Sequence, residues 1–238
     1  MKALLLCAGE GTRLRPITNT IPKPLVPING KPLLEYWLEN LTKAGVTEFL
    51  INTHYLSKEI EYYVVTSPFK DKITLVYEDK LLNTAGTIVK NRDFFQKDEA
   101  FLLVHADNLS FCNFENFLSS HRNKSNNTKI TMMLFKTDDP SSCGIVELDD
   151  RNIVQNFYEK VQNPPSNLAN GAVYICDYSI LEYLISLEKE VIDFSLEVIP
   201  QYLGKINTFL NDKYHRDIGT VESYALAQIE IKKLLLSL

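Results

Sequence analysis

The sequence predicts an α/β protein, a Rossmann-like, doubly wound and mostly parallel sheet with helices on both faces. Three observations lead there. Strand-like and helix-like patterns alternate through the first half of the chain. The runs at 3–7 and 100–106 are almost wholly apolar, as strands inside a parallel sheet are when both faces are covered. Between such runs, apolar residues recur at helical spacing.

Residues 1–7 form the first strand. Within 31–44, Leu33, Leu34, Trp37, Leu38 and Leu41 repeat with a helical period, and Gly45 stops the helix. Residues 49–53 make a second strand, Ser57 is placed to cap a helix through about residue 65, and 73–77 make a third strand. A further helix is expected over 84–95, then the apolar strand that ends at Asp107. The second half is more mixed. Strands are expected at 129–136, 143–148, 153–158 and 172–176, with Asp149-Asp150-Arg151-Asn152 as a hairpin turn. Helices over 179–187 and 195–200 and a strand near 205–210 follow. The last helix, from Thr220, is expected to bury Val221, Tyr224, Ala225, Gln228, Ile231 and Leu235 along one stripe. Its apolar end at 229–238 leaves two readings, a homodimer contact or packing on its own domain.

At 238 residues, 45% hydrophobic and 23% charged, the chain is read as one domain with a substantial core. A net charge of −5 leaves no general nucleic-acid footprint, so the cations that matter are locally placed. No apolar stretch approaches the about 20 residues of a bilayer span, and 4–7 is too short for a signal-peptide core. A cytoplasmic protein with no membrane partner is expected. Cys7, Cys112, Cys143 and Cys176 stand singly, as reduced structural thiols do, rather than in disulfide or zinc spacing.

The most informative stretch is the opening one, MKALLLCAGEGTRLRPITNTIPKPLVPINGKPL. A buried strand that stops at Gly9-Glu10-Gly11-Thr12-Arg13 presents free backbone N–H groups, from Leu6 and Ala8 onward, where phosphate oxygens can sit. Arg13 adds a forked donor and Lys23 a point charge. That combination suits a nucleoside triphosphate. It lacks the Gly-Lys-Ser/Thr of one standard phosphate loop and the third glycine of the other. A turn-rich surface loop with incidental charges is the plainer alternative.

Residues 9–16 and 22–27, Gly-Glu-Gly-Thr-Arg-Leu-Arg-Pro and Pro-Lys-Pro-Leu-Val-Pro, together resemble the signature of the sugar-phosphate nucleotidyltransferases, the nucleotide-diphospho-sugar pyrophosphorylases. The look is closest to the mannose- and heptose-1-phosphate guanylyltransferases and related small single-domain members. The resemblance implies a GT-A-like fold, with a nucleotide-binding part at about 1–110, a sugar-binding part at about 111–220 and a C-terminal helix over 220–238. The chain ends soon after its core, without room for the left-handed β-helix that longer relatives append.

Asp107 and Asn108 lie just beyond the carboxyl end of an apolar strand, the edge where open α/β sheets bind ligands. By resemblance Asp107 is a magnesium ligand and Asn108 belongs to the sugar-phosphate turn; an Asp that caps a helix near Asn113 is the other reading. His215-Arg216-Asp217-Ile218-Gly219-Thr220 resembles the family's late Asp-x-Gly-Thr segment, so Asp217 is expected to complete a Mg2+ site, with capping of the last helix as a compatible role. Glu159 is expected to accept from sugar hydroxyls, Lys160 to hold the sugar 1-phosphate, Asn170 to contact the sugar, and Gly144 to lay its backbone against it. As generic features these would be a solvated pair and ordinary turn residues. Leu82-Asn83-Thr84-Ala85-Gly86-Thr87 resembles the family's nucleoside loop, with Asn83 in place of the usual glycine; Asn tolerates positive φ well. Thr84 and Gly86 are small enough there for a base to lie flat.

The reaction implied is nucleotidyl transfer, in which a sugar 1-phosphate oxygen attacks the α-phosphorus of an NTP in line and pyrophosphate leaves. The nucleophile is already anionic, so positioning and electrostatics are expected to do the catalysis, with Arg13, Lys23 and Asp107 as the catalytic set. His54, His105, His121 and His215 are read as structural or surface groups. Glu78, an acceptor-only carboxylate, suits guanine's donors and favours GTP. Uridylyl-, thymidylyl- and cytidylyltransferases stay open. So do a non-catalytic, nucleotide-sugar-sensing subunit and a glycosyltransferase, although Asp107 is followed by Asn108-Leu109 rather than the Asp-x-Asp of the latter.

Overall fold

The structure is a computed structural model that describes residues 1–96 and 99–236. In chain order it runs β1 (Lys2–Leu6), β2 (Pro27–Ile28), β3 (Lys31–Pro32), α1 (Leu33–Lys43), β4 (Glu48–Thr53), α2 (Ser57–Thr66), β5 (Ile73–Tyr77) and α3 (Asn83–Lys90). There follow β6 (Ala100–His105), β7 (Asn108–Phe111), α4 (Phe114–Arg122), β8 (Ile130–Lys136), β9 (Gly144–Leu148), β10 (Val154–Glu159) and β11 (Leu168–Asp177). The last elements are α5 (Tyr178–Ser186), β12 (Ile206–Leu210), β13 (Tyr214–Asp217) and α6 (Val221–Leu236). The expected α/β class is found, a mostly parallel central sheet with helices, and the second half is antiparallel-rich.

The chain divides into two compact units. The first comprises Met1–Leu4, Leu82–Val104 and Cys112–Lys213. Its organiser is β11, antiparallel to β6, where Val173 faces Val104, and antiparallel to β8 on the other flank. β12 runs parallel to β8, and β9 and β10 form a hairpin. In the turn, the Asp149 carboxylate accepts from the N–H groups of Arg151 and Ile153, and Asn152 takes a left-handed φ of 60°. Phe101, Tyr174 and Phe194 are fully buried, with the last two rings 4.7 Å apart.

The second unit comprises Leu5–Leu81, His105–Phe111 and Tyr214–Leu238. Here β4 runs parallel to β5, with Phe49 opposite Ile73. Helix α1 buries Leu33, Leu34, Trp37, Leu38 and Leu41, as its periodicity predicts, and Gly45 ends it at φ 96°. A core of Leu14, Val26, Ile28, Leu33, Leu109, Ile218 and Ile231 ties the N-terminal loops to β7 and to the C-terminal segment.

Several elements differ from expectation. Ser57 is the first residue of α2 rather than its cap; Leu56, at φ 50°, makes the turn with no side-chain cap. β11 begins at Leu168, so 168–171 belong to a strand. The stretch expected as a helix over 195–200 is a π-turn, Phe194–Val198, followed by a 3-10 turn, Ile199–Tyr202. Asp107 does not cap α4; Asn113 does, accepting from the Asn116 N–H at 2.9 Å. Helix α6 buries Ala227 and Ile231 and half-buries Tyr224, Gln228 and Leu234; Val221, Ala225 and Leu235 are exposed. The last two residues of the expected apolar end, 237 and 238, lie outside the described residues. All four cysteines are free. Among the described residues, no helix is long and apolar enough to cross a membrane.

Candidate active site

Two short strands in the second unit explain why distant residues meet. β7 and β13 pair antiparallel with Asp217 opposite Asn108, and the Ile218 N–H donates to the Asp107 carbonyl at 3.1 Å. Asp107 and Asp217 are thereby held side by side. Lys23 Nζ donates to both, at 2.8 Å to Asp107 Oδ2 and 3.3 Å to Asp217 Oδ1. Its side chain is 7% exposed, whereas the two carboxylates are 40% and 52% exposed, so they face solvent from a buried cationic base. Arg13 NH2 lies 3.8 Å from Asp217 Oδ2, with the guanidinium open to solvent. The structure therefore brings Arg13, Lys23, Asp107 and Asp217 together.

The loop after β1 is fixed from behind. Gly11 takes φ 62° and opens a 3-10 turn, Thr12–Leu14, that points Arg13 outward and buries Leu14. Thr18, fully buried, donates through Oγ1 to the Gly11 carbonyl at 2.7 Å, and Tyr55 OH donates to the Thr18 carbonyl at 2.9 Å. A side chain at Gly11 would meet Thr18 Cγ2 at 3.0 Å and Lys23 Cβ at 3.2 Å, whereas nothing lies within 4 Å at Gly9. Gly9, Glu10, Thr12 and Arg13 are exposed, Leu6 and Gly11 half-buried and Ala8 buried. Lys23 is aimed by its own turn: Pro22 and Pro24 fix the backbone on either side, and Leu25 N–H donates to the Pro22 carbonyl at 2.8 Å.

Charge pairing sets the protonation states. Burial opposes the charge on Lys23, but Asp107 and Asp217 outweigh it and raise the ammonium above its ordinary range. Burial likewise opposes ionisation of Asp107; Lys23 and then His105 overcome it and hold the carboxyl below its usual value. His215 is pulled down to about 4 by burial, against the pull of Asp107, and is a neutral imidazole at pH 7. Two convergent carboxylates open to solvent fit magnesium, a hard ion usually bound by one or two carboxylates plus phosphate oxygens and water. Among the described residues, no group of three or more metal-ligating side chains occurs.

Gly219 is the glycine of that late segment for a steric reason. A Cβ there would lie 2.5 Å from Asp217 Oδ2 and 3.0 Å from Arg13 NH2. Trp37, the only tryptophan, donates its indole N–H to the Asn108 carbonyl at 2.7 Å and so braces the turn behind Asp107. Asn108 itself is buried at 6% exposure.

Glu78 corrects an expectation. Its side chain is buried, 1% exposed, and accepts from Asn52 Nδ2 at 3.1 Å, while Asn52 Oδ1 accepts from the Cys7 N–H at 2.8 Å. The carboxylate is thus enclosed behind the loop rather than offered to a base. Asn52 carries no site role in the sequence reading; its signal is a lone amide inside the run Phe-Leu-Ile-Asn-Thr of β4.

The first unit gathers the expected sugar residues on three adjoining strands. Glu159 on β10 faces Gly144 on β9 directly, and Ala169, beside Asn170 on β11, faces Ile145. A Cβ at Gly144 would meet the Phe157 ring at 2.6 Å and Glu159 Oε2 at 2.8 Å. The glycine therefore makes room for these side chains first. Lys160 follows at φ 50°, a left-handed conformation costly for a side-chain-bearing residue, with Nζ 3.5 Å from Glu159 Oε1 and largely exposed. Asn170 donates to Tyr174 OH at 2.6 Å and accepts from the Ala172 N–H at 3.0 Å, which stabilises the irregular stretch of β11.

The expected nucleoside loop forms the start of α3, with Asn83 at φ 58°, the positive φ that asparagine tolerates. Thr84 Oγ1 accepts from the Phe194 N–H at 2.7 Å, and a Cβ at Gly86 would lie 2.3 Å from the Glu190 carbonyl oxygen. Gly86 is small at least because the chain itself crosses there.

The model of the nucleotidyl transferase family matches residues 2–233. A curated relative, the mannose-1-phosphate guanyltransferase of Schizosaccharomyces pombe, is 30% identical over 94% of this chain, which spans 62% of that relative's length. The structure of HddC from Yersinia pseudotuberculosis complexed with GMP-PN superposes with a TM-score of 0.79 at 26% identity, covering 97% of this chain and 99% of that one. A putative glucose-1-phosphate thymidylyltransferase from Bacillus anthracis shares the fold, with a TM-score of 0.86 at 22% identity over 97% and 94% of the two chains.

Proposed function

This chain belongs to the nucleotidyl transferase family, and we propose that it transfers a nucleotidyl group from an NTP to a sugar 1-phosphate. The observation that carries this is one buried ammonium, Lys23, bridging two solvent-facing carboxylates beside the glycine loop. A buried ammonium held between two carboxylates supplies positive charge in a fixed position.

The products are a nucleotide-diphospho-sugar and pyrophosphate. An oxygen of the sugar 1-phosphate forms the new bond to Pα, the Pα–O bond to the β-phosphate breaks, and its electron pair leaves on pyrophosphate. No proton is abstracted, and His215, neutral and enclosed, is not needed as a base. What the residues supply is charge in fixed positions. The N–H groups from Ala8 through Thr12 receive triphosphate oxygens, Arg13 steadies the leaving group, and Lys23 serves the α-phosphate region. Asp107 and Asp217 would hold Mg2+, whose chemistry there is neutralisation of phosphate charge. In the first unit, Lys160 takes the attacking phosphate, and Glu159 and Asn170 the sugar hydroxyls. Residues 1–238 act as one nucleotidyltransferase domain in this reading, placed in the cytoplasm, where NTPs and sugar phosphates are made.

GTP with a mannose- or heptose-type 1-phosphate is the favoured pair. Its support is the named guanyltransferase relative and the GMP-PN complex of HddC. With Glu78 enclosed, selectivity for the base falls to other groups. The test is pyrophosphate release from each of four NTPs with a panel of sugar 1-phosphates. Release with GTP is expected. Exclusive use of UTP, dTTP or CTP would remove the guanylyl assignment. Tight nucleotide-sugar binding with no release from any pair would make the protein a sensing subunit.

A further inference from the structure

Helix α6 is amphipathic twice over. Its inner stripe, Tyr224, Ala227, Gln228, Ile231 and Leu234, packs into the core of the second unit, and Tyr224 OH and Gln228 Nε2 both donate to the Pro27 carbonyl. The opposite stripe carries Leu226, Ile229 and Leu236, exposed at 46%, 54% and 83%. Three large aliphatic side chains in a row on the solvent face of one helix are more than a monomer's surface needs.

The charges on that outer stripe say what covers it. Glu222 lies in the first turn and Lys233 in the last. They stand 233 − 222 = 11 residues apart, about three turns, and therefore on one line along the helix. Leu226 and Ile229 lie between them and are placed symmetrically about its midpoint. A stripe that reads acid, aliphatic, aliphatic, base is complementary to its own reverse. An antiparallel copy sets Glu222 against Lys233 twice and Leu226 against Ile229 twice, as a closed two-fold contact requires. A parallel copy would oppose like charges at both ends.

We propose that the outer face of α6 is a self-association surface, through which two copies of this chain pair antiparallel about a two-fold axis. The helix is anchored beside that inner stripe as well: Arg216 binds the Glu230 carboxylate through two donors, at 2.7 and 2.6 Å, and Tyr214 OH adds a third at 2.9 Å. The surface presented is thus pre-organised, which lowers the ordering cost of association. One helix face is a small interface, so the dimer is a weak and reversible one. The contact uses none of the residues assigned to phosphate or sugar, and it stands apart from the proposed activity.

Sedimentation equilibrium on the full chain tests it. The wild type is expected to show a concentration-dependent monomer–dimer equilibrium. Ile229→Glu is expected to abolish it while leaving the thermal melt by circular dichroism unchanged. Glu222→Lys and Lys233→Glu should each weaken self-association at least about tenfold, the scale of turning two rim attractions into repulsions. An equimolar mixture of these two single variants should associate as well as wild type, because an antiparallel heterodimer restores both pairs. A chain that stays monomeric at its highest soluble concentration, a dimer indifferent to Ile229→Glu, or a mixture no tighter than its components would each overturn the proposal. The first two results would give the face to a different occupant, and the third would exclude the antiparallel register.

Discussion

Lys23 and Asp217 are 194 residues apart in the chain, yet Lys23 Nζ donates to Asp217 Oδ1 at 3.3 Å while holding Asp107 at 2.8 Å. The ammonium is thus both a structural clasp between the N-terminal turn and the β7–β13 pair and a buried cation of the proposed phosphate site. A single substitution there touches folding and chemistry together.

Lys23→Ala should lower kcat for pyrophosphate release at least about 100-fold, the scale of losing one preorganised charge. It also leaves Asp107 and Asp217 facing each other without their shared counter-ion. A modest loss of thermal stability should accompany the kinetic one. Near-normal turnover by this variant would remove Lys23 from the mechanism.

Asp107→Asn and Asp217→Asn each withdraw one of the two charges that converge on Lys23. The expected result is a Mg2+ titration of activity displaced to at least about tenfold higher concentration in either variant. An unchanged metal titration in both would place the ion elsewhere.

Gly11→Ala puts a side chain into a left-handed φ of 62°, 3.0 Å from Thr18 Cγ2 and 3.2 Å from Lys23 Cβ. The cost expected is about 1–2 kcal/mol of stability, read by urea unfolding, with activity falling as the loop and Lys23 are displaced. Gly9→Ala is the control. It meets nothing within 4 Å and should change stability by less than about 0.5 kcal/mol. Its effect should appear in the NTP KM, since the loop backbone there is the proposed approach for phosphate.

His121 makes stability depend on pH in the first unit. Its Nε2 lies 3.0 Å from Asp177 Oδ1 and its Nδ1 2.9 Å from Thr131 Oγ1, with Lys124 and Lys129 also on Asp177. Burial, with Lys124, holds its pKa below 6.5 despite Asp177. The folded state therefore prefers the neutral imidazole, and this share of stability, fully present above pH 6.5, is lost as pH falls through the depressed value. His121→Gln should flatten the decline of the unfolding midpoint between about pH 6.5 and 5 relative to wild type. Parallel curves for the two proteins would show that this histidine does not titrate on unfolding.

Where the signal is local, sequence reading succeeds. The buried strand β1, the stripe of α1 and its glycine stop, and the Asp149–Asn152 turn are each written in a few adjacent residues. It fails where short strands are held only by partners. β7 and β13 have four residues each, and their pairing across the chain leaves no periodic trace. The buried stripe of α6 is rotated from the one its periodicity predicts. With aliphatic residues on both faces, periodicity cannot say which stripe is inward, and the Tyr214–Arg216–Glu230 cluster decides it.

By itself the sequence determined the α/β class, the glycine loop with Arg13 and Lys23, and the two aspartates as candidates, because these depend on residue type and near-neighbour spacing. Only the tertiary structure decided which of them share a point in space. Closing loops of 84 and 194 residues is an entropic cost that no local motif encodes. It also decided that Glu78 is enclosed and that Gly86 and Gly144 make room for the chain's own atoms. Burial and close approach belong to the packed whole, and a string of residues does not carry them.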